Sequence, residues 1–527
     1  MPVANLSNGQ TRRTRIAKAL LNKPEVLLLD DPFMGLDPAA VRHISSILEH
    51  MALRSSPRVI FSFRPQDPIP DWITHIMVLG NHNRILLQAP KEEAKRVFEI
   101  WRRRAEYEKP LSRADEWTRR TDQETQKQLK GGYLTRQMLR DMRISHQKPR
   151  VNNQYEPPVY RASGGEPIIE MDGVRVQYGD KCVLGHWRQN VSGEAKEGLH
   201  WTVRRGQRWA ILGANGSGKT TLISLITSDH PQTYALPIRL FGRSRLPEAG
   251  QPGLSIFELQ SRIGHSSPEI HAFFPRQLTI RQAIESAFSD TFLTRPRLTH
   301  EQDLDVNAFL RFFAPELNPD GHHGPPTKVT MPDNQLFPPL VKETLKTDFY
   351  NPDDGVEYAD TIIFGDLSTA LQRLVLLLRA LVSRPDIVIL DEALSGMPAS
   401  LRDKCLTFID QGEWCVKHRV HIQTADNARF RGLSDNQALL TIAHSNEDIP
   451  SSVRYFMRLP SGSERKEKLD FRFGVLKPES QWDNLRVWNR NWSLLYWKKD
   501  RERVEKNFFD ADMPVRDDAE KYEWWHI

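Results

Sequence analysis

Cysteine is scarce: Cys182, Cys405 and Cys415 are the only three in 527 residues, and they stand far apart. They can build neither a disulfide framework nor a cysteine-based zinc site, which favours a reducing compartment, with the cytoplasm as the expected location. Long apolar runs are missing as well, since nothing approaches the ~20 residues of a membrane-spanning helix. The most apolar stretch, Leu374 to Val382, is broken by Arg379 and reads as a buried helix. If the protein serves transport, the membrane part is expected in another polypeptide. Sustained heptads are lacking too, which excludes a long coiled coil. No strong charge of either sign is present. The formal net charge is +6 and the pI about 9.0, a mild excess that suits anionic partners such as nucleotide, RNA or a lipid surface without choosing among them. Acidic residues are absent before Glu25 in an Arg-rich start, so a mitochondrial presequence is an alternative reading of those residues.

What is present explains that start better. LSNGQTRRTRIAKALLNKPEVLLLDDP (6–32) and LSTALQRLVLLLRALVSRPDIVILDEA (367–393) resemble each other position by position. In both, Leu-Ser opens a helix, and a proline precedes an apolar strand that ends in an acidic pair. Leu6 stands 24 residues before Asp30, and Leu367 stands 24 before Asp391. Farther on, IPDWITHIMVL (69–79) aligns without gaps on IPSSVRYFMRL (449–459). This is a duplicated domain whose first copy is incomplete, because the long leader Glu166–Ser368 has no counterpart in it. The expected organisation is residues 1–90 as the C-terminal half of a first domain and 91–165 as a charged helical linker of solvated helices. Residues 166–460 form a complete second domain with an insertion near 316–357, and 461–527 a polar, then Trp-rich tail.

Gly213-Ala214-Asn215-Gly216-Ser217-Gly218-Lys219-Thr220 satisfies G-x-x-x-x-G-K-[ST]. RWAIL before it reads as a strand and TTLISLI after it, from Thr220 and Thr221, as a helix, which is the setting the motif requires. The glycines let backbone N–H groups turn inward on phosphates, and the helix N-terminus adds a favourable dipole. Lys219 is expected to reach the β and γ phosphates of ATP, and the Thr220 hydroxyl to ligate Mg²⁺. Asp391 ends the strand IVIL, where its carboxylate can hold Mg²⁺ through water. Glu392 follows, suited to orienting or deprotonating an attacking water.

LSNGQ, with Ser7, Gly9 and Gln10, resembles the signature of ATP-binding-cassette (ABC) proteins. VLLLDDP resembles their Walker B strand, and Gly35-Leu36-Asp37 their D-loop. The chain is most similar to tandem cassettes without membrane spans, the bacterial molybdate-transport-type ATP-binding protein and its fungal relatives. TSDHPQ (227–232), LFGR (240–243) and RIGHSSP (262–268) carry that part of the likeness. The resemblance implies an α/β fold of P-loop NTPase type: ABC cassettes with a mixed sheet core and a helical signature subdomain, in tandem. It also implies that the two cassettes meet head to tail, with ATP between the Walker motifs of one and the signature of the other. One site would then join Lys219, Thr220, Asp391 and Glu392 to Ser7, Gly9, Gln10 and Asp37, with His444 as the switch histidine. A structural role for His444 is the alternative. The other site is degenerate: LSTAL replaces the signature, Pro398 stands where the D-loop aspartate belongs, Asp31 replaces the glutamate, and Arg64 aligns with His444. A cassette sheet is also expected to set the Walker B strand beside the phosphate-loop strand, leaving VLLLD of the first copy without its neighbour.

Two departures stand out. Pro268 occupies the place of the family's glutamine, which removes a usual link to Mg²⁺ and to a membrane partner. Tyr178 resembles the adenine-stacking aromatic, but HWRQNVSGEAKEG separates it from the phosphate loop, and ordinary core packing is the other reading. His322-His323 lies in a Pro/Gly-rich stretch with Asp320 as the one further ligand candidate nearby, too little for a metal site. The tail tryptophans Trp482, Trp488, Trp492, Trp497, Trp524 and Trp525 either stack on RNA or dock onto the protein's own surface. The leading expectation is an ATPase whose cassette closure does work on a protein partner, a membrane permease being one candidate. A ribosome-associated translation factor and a non-hydrolysing, ATP-clamped binding module are the alternatives.

Overall fold

A computed structural model describes residues 8–33, 36, 38–54, 57–63, 69–80, 84–107, 116–130, 165–179, 181–319, 321, 355–414, 428–460, 471–476, 480–482, 487–488 and 524–526. The duplication is written into the backbone. The helices Asn8–Leu21 and Thr369–Val382 are both 14 residues long and start at equivalent positions. Each is followed by a left-handed residue before a proline, Lys23 (φ 46°) and Arg384 (φ 49°). A second left-handed residue closes the strand in each copy, Asp31 (φ 41°) and Glu392 (φ 48°). Side chains other than glycine rarely adopt this conformation, so two such residues at matching places mark one inherited turn geometry.

In the first copy, β1 (Val26–Leu29) pairs in parallel with β2 (Arg58–Phe61), while β3 (His75–Leu79) and β4 (Ile85–Pro90) form a separate antiparallel pair. Leu27 is buried against Ile44 and Leu48 of the helix Pro38–Leu53. Two charged helices follow, Lys91–Tyr107 and Glu116–Lys130. They are not merely solvated. Ala94, Val97 and Trp101 are buried, Trp101 bonds to Thr125, and the Gln128 amide donates to the Leu86 carbonyl at 2.9 Å.

The second copy opens with β5 (Pro167–Val174), the hairpin of β6 (Val176–Tyr178) and β7 (Lys181–Leu184), and a second hairpin of β8 (Arg188–Val191) and β9 (Glu194–Glu197). β10 (Leu199–Arg204) pairs antiparallel with β5, as does β12 (Ile238–Leu240), and the phosphate-loop strand β11 (Arg208–Gly213) lies between them in sequence. β13 (Ile263–Ser266), β14 (Ile387–Asp391), β15 (Ala438–Ile442), β16 (Tyr455–Leu459), β17 (Arg472–Val475) and β18 (Trp524–His526) complete a seven-stranded mixed sheet. Its order is β13-β14-β15-β11-β16-β17-β18, parallel except where β16 meets β17.

Alternate side chains feed two cores. Trp209, Ile211, Ile387 and Ile389 face the antiparallel layer and the helix Lys219–Thr227. Ala210, Leu212, Val388 and Leu390 face the helical side, where the Leu-rich helix Thr369–Val382 packs. Strands covered on both faces read as continuous apolar runs, as IVIL does. The sheet does not stop at residue 460: β17 and β18 extend it, and Trp482 and Trp488 pack into the helical-side core. Docking, rather than an RNA platform, accounts for those two tryptophans.

One expectation is corrected. The Walker B strand β14 has β13 and β15 as neighbours, and β11 lies between β15 and β16. By the same order, a phosphate-loop strand of the first copy would sit between β2 and β3, two strands that are unpaired with each other.

Candidate functional site

β11, β14 and β15 are parallel neighbours, so their carboxyl ends gather the phosphate loop, Asp391–Glu392 and His444 on one rim. Open parallel sheets bind ligands at such a rim. β11 ends at Gly213, and the loop turns through Asn215 and Gly216 into the helix that begins at Lys219. A Cβ at Gly213 would collide with Ser217 Oγ and the Leu459 carbonyl, so only glycine fits. Gly218 caps the helix at φ 93° and lies against the Val183 carbonyl of β7, 3.0 Å from where a Cβ would be. Lys219 Nζ donates to the carbonyls of Gly213 (2.8 Å) and Ala214 (3.0 Å), arching over the loop. Ser217 Oγ is buried without a hydrogen-bond partner among the described residues. A buried hydroxyl left unmatched inside a phosphate loop fits a phosphate oxygen.

Asp391 and Glu392 are adjacent carboxylates in opposite states. Burial raises the Asp391 carboxyl well above its ordinary range, the charges of Glu392 and Glu269 push the same way, and Lys219 opposes them. Burial would also raise Glu392, but the His444 contact and the charges of Lys219 and Arg373 outweigh it and hold that carboxyl low. His444 Nε2 lies 2.9 Å from Glu392 Oε1, an ion-pair distance off hydrogen-bonding geometry, and both ring nitrogens are buried without a hydrogen-bond partner among the described residues. Neighbouring acids pushed apart in this way suit separate roles. Glu392 is held ionised, whereas the raised, buried Asp391 gains most from an incoming cation. With the hydroxyl of the exposed Thr220 at the helix start, the donors are hard oxygens, which suits Mg²⁺. Among the described residues no group of three or more His, Cys, Asp or Glu could hold a metal by itself.

Tyr178 ends β6 at a hairpin turn, 52% exposed, with its hydroxyl bonded to His230. Thr221 lies within the phosphate-loop helix. Gly9 and Gln10 fall in the helix Asn8–Leu21, but their side chains, like Ser7, Asp37 and Arg64, lie outside the described residues. So do Cys415, His322-His323, most of the 316–357 insertion and the tail tryptophans Trp492 and Trp497.

The ABC transporter family matches residues 1–34 and 197–395. An uncharacterized ABC transporter ATP-binding protein of Schizosaccharomyces pombe is 30% identical over 458 residues, covering 87% of this chain and 69% of that protein. The chain belongs to the ABC ATP-binding family. The ABC transporter ATP-binding protein ModF of Escherichia coli is 25% identical over 459 residues, covering 87% of this chain and 70% of ModF. The energy-dependent translational throttle protein EttA of the same species is 28% identical over 232 residues, 43% of this chain and 38% of EttA. Among the described residues, no helix of this ABC protein is long and apolar enough to cross a membrane.

Several contacts at the cassette rim have no motif to announce them. Arg373, on the helix that begins within LSTAL, donates to the carbonyls of Glu392 (3.1 Å) and Ser395, tying that helix to the acidic turn. Pro268 sits at the first turn of a short helix capped by Ser267, a position that needs no N–H. From that helix, His271 Nε2 bonds to Gln372 Oε1 at 2.8 Å. TSDHPQ was visible in the sequence, but nothing there indicated that its histidine meets Tyr178.

Proposed function

We propose that this ABC protein binds Mg²⁺-ATP and hydrolyses it at one composite site, and that cassette closure does work on a partner. The second copy supplies Lys219, Thr220, Asp391, Glu392 and His444, and the first supplies Ser7, Gly9, Gln10 and Asp37. The observation that carries this reading is the meeting of the Glu392–His444 contact with the Lys219 loop on one rim. In this reading Lys219 leaves its two carbonyl partners for the β and γ phosphates, and Ser217 Oγ gains a phosphate oxygen. Bound Mg²⁺ neutralises phosphate charge. Glu392, held ionised beside His444, orients the attacking water and accepts its proton, while His444 steadies the γ-phosphate. The other site lacks these parts: Asp31, Pro398 and the LSTAL segment stand in their places.

The extent of likeness favours a tandem cassette of ModF type over a ribosome-acting one. It runs over 87% of the chain for ModF and 43% for EttA. The reading is tested by steady-state ATPase assays on the purified protein. Lys219→Ala and Glu392→Gln are each expected to lower kcat at least ~100-fold, with Asp31→Asn changing it little. Equal losses from Asp31→Asn and Glu392→Gln would sink the single-site reading.

A further inference from the structure

TSDHPQ starts on Thr227, the last residue of the phosphate-loop helix, and each of its polar residues is engaged. Ser228, left-handed at φ 69°, ends the helix, and Arg245 Nε donates to its Oγ at 2.7 Å. The Arg245 guanidinium also reaches the Leu225 and Ile226 carbonyls, so the helix C-terminus is pinned. His230 then caps the 3₁₀ turn Pro231–Ala235: the Gln232 N–H donates to its Nδ1 at 3.2 Å. An accepting Nδ1 puts the proton of the neutral ring on Nε2, and burial favours the neutral ring. Nε2–H faces the Tyr178 hydroxyl at 2.5 Å, with the two rings edge to face at 5.7 Å. Two residues on, the Gln232 amide donates to the Gln177 carbonyl at 2.9 Å. The β6–β7 hairpin is thus gripped by a side chain at residue 178 and by its backbone at residue 177. Its other arm rests against the phosphate loop at Gly218.

The grip is one-sided. The hydroxyl end of Tyr178 is fixed by a buried histidine, whereas half of the residue stays open to solvent. A tyrosine serving only as core filler would be covered. An exposed one left free would populate several rotamers, all but one of which are lost on stacking. We propose that His230 is a positioning residue for the nucleotide base. It holds the Tyr178 ring preorganised as a stacking platform and ties that platform to the end of the phosphate-loop helix. The inference rests on the reading of Tyr178 as the base-stacking residue of the ATP site.

The test compares the affinity of the full chain for ATP with its affinity for inorganic tripolyphosphate, which has phosphates but no base, by isothermal titration. Tyr178→Ala is expected to weaken ATP about tenfold and leave tripolyphosphate unchanged. Tyr178→Phe keeps the ring but loses the hydroxyl. His230→Asn keeps an oxygen able to cap the 3₁₀ turn but loses the reach to Tyr178. Each is expected to weaken ATP alone by about threefold. The double variant should be no worse than either single one, because both remove the same bond. Full ATP affinity in His230→Asn, an additive double variant, or an equal loss of tripolyphosphate would overturn the positioning role and leave the stacking reading standing. Unchanged ATP affinity in Tyr178→Ala would overturn the stacking reading itself.

Discussion

Asp386 shows how much of the second cassette hangs on single side chains. It stands just before β14 and accepts bonds from Arg262 Nε (2.6 Å) and Arg205 Nη1 (2.5 Å), which joins three separate stretches of chain. Burial would raise its carboxyl, but the two arginine hydrogen bonds and their charges outweigh this and hold it below the ordinary range. The folded pKa therefore lies below the unfolded one, about 4. Its stabilising contribution is complete above that value and disappears as pH falls through the folded pKa. Asp386→Asn is expected to cost under about 1 kcal/mol at pH 7, a modest figure because solvent screens this partly exposed group. In urea unfolding the gap between variant and parent should close as pH drops below about 4. A gap that stays constant down to pH 3 would contradict the assignment. At this scale the sequence is legible only where chemistry restricts residue type and spacing together. Lys219 and Asp391–Glu392 qualify, since few residue types do their work. Arg373, His271, His230 and Asp386 do not, because their partners lie far off in sequence and many polar residues can make such bonds.

Elements were legible where a repeat doubled the information. The paired helices and strands of the two copies could be matched by register alone, and the left-handed residues at 23, 31, 384 and 392 follow the same register. Strand adjacency was not legible, because it depends on which strand inserts between which, and apolar patterning is silent on that. The corrected order has a physical consequence. Val26 and Leu28 correspond to Ile387 and Ile389, which are fully buried beneath the antiparallel layer and the phosphate-loop helix. In the first copy the same face is bare: Val26 is 46% exposed, Leu28 71% and Ile60 56%. The other face is covered, with Leu27 buried. Leu28→Ala should therefore shift the unfolding midpoint hardly at all, whereas Ile389→Ala should cost about 2–5 kcal/mol through lost transfer energy and a residual cavity. Thermal and urea unfolding of both variants measure the contrast. A large destabilisation by Leu28→Ala would mean that this face is covered in the protein in solution.

For the whole molecule, the question is whether the two copies act on one nucleotide. A cavity of about 530 Å³ lies where Asp31 and Ser62 of the first copy face Ser395–Met397 and His444–Asp448 of the second. The acidic turn of one copy and the His444 segment of the other thus confront each other. In a head-to-tail pairing the first copy's signature would close over ATP held by the second copy's phosphate loop. Ser7→Arg would put a long cation where that closure needs a small hydroxyl, more than two hundred residues from Lys219. Binding and turnover should then separate. In that pairing the loop 213–220 would make most phosphate contacts by itself, so ATP affinity should fall no more than about threefold, while kcat should fall at least ~100-fold because closure would be the step that aligns water and phosphate. Nucleotide titration and turnover on the same preparation read both quantities. Hydrolysis unchanged in Ser7→Arg would mean that the second copy works without the first copy's signature. Parallel loss of binding and turnover would mean instead that the first copy helps to hold ATP in the ground state, and that closure is not the step it serves.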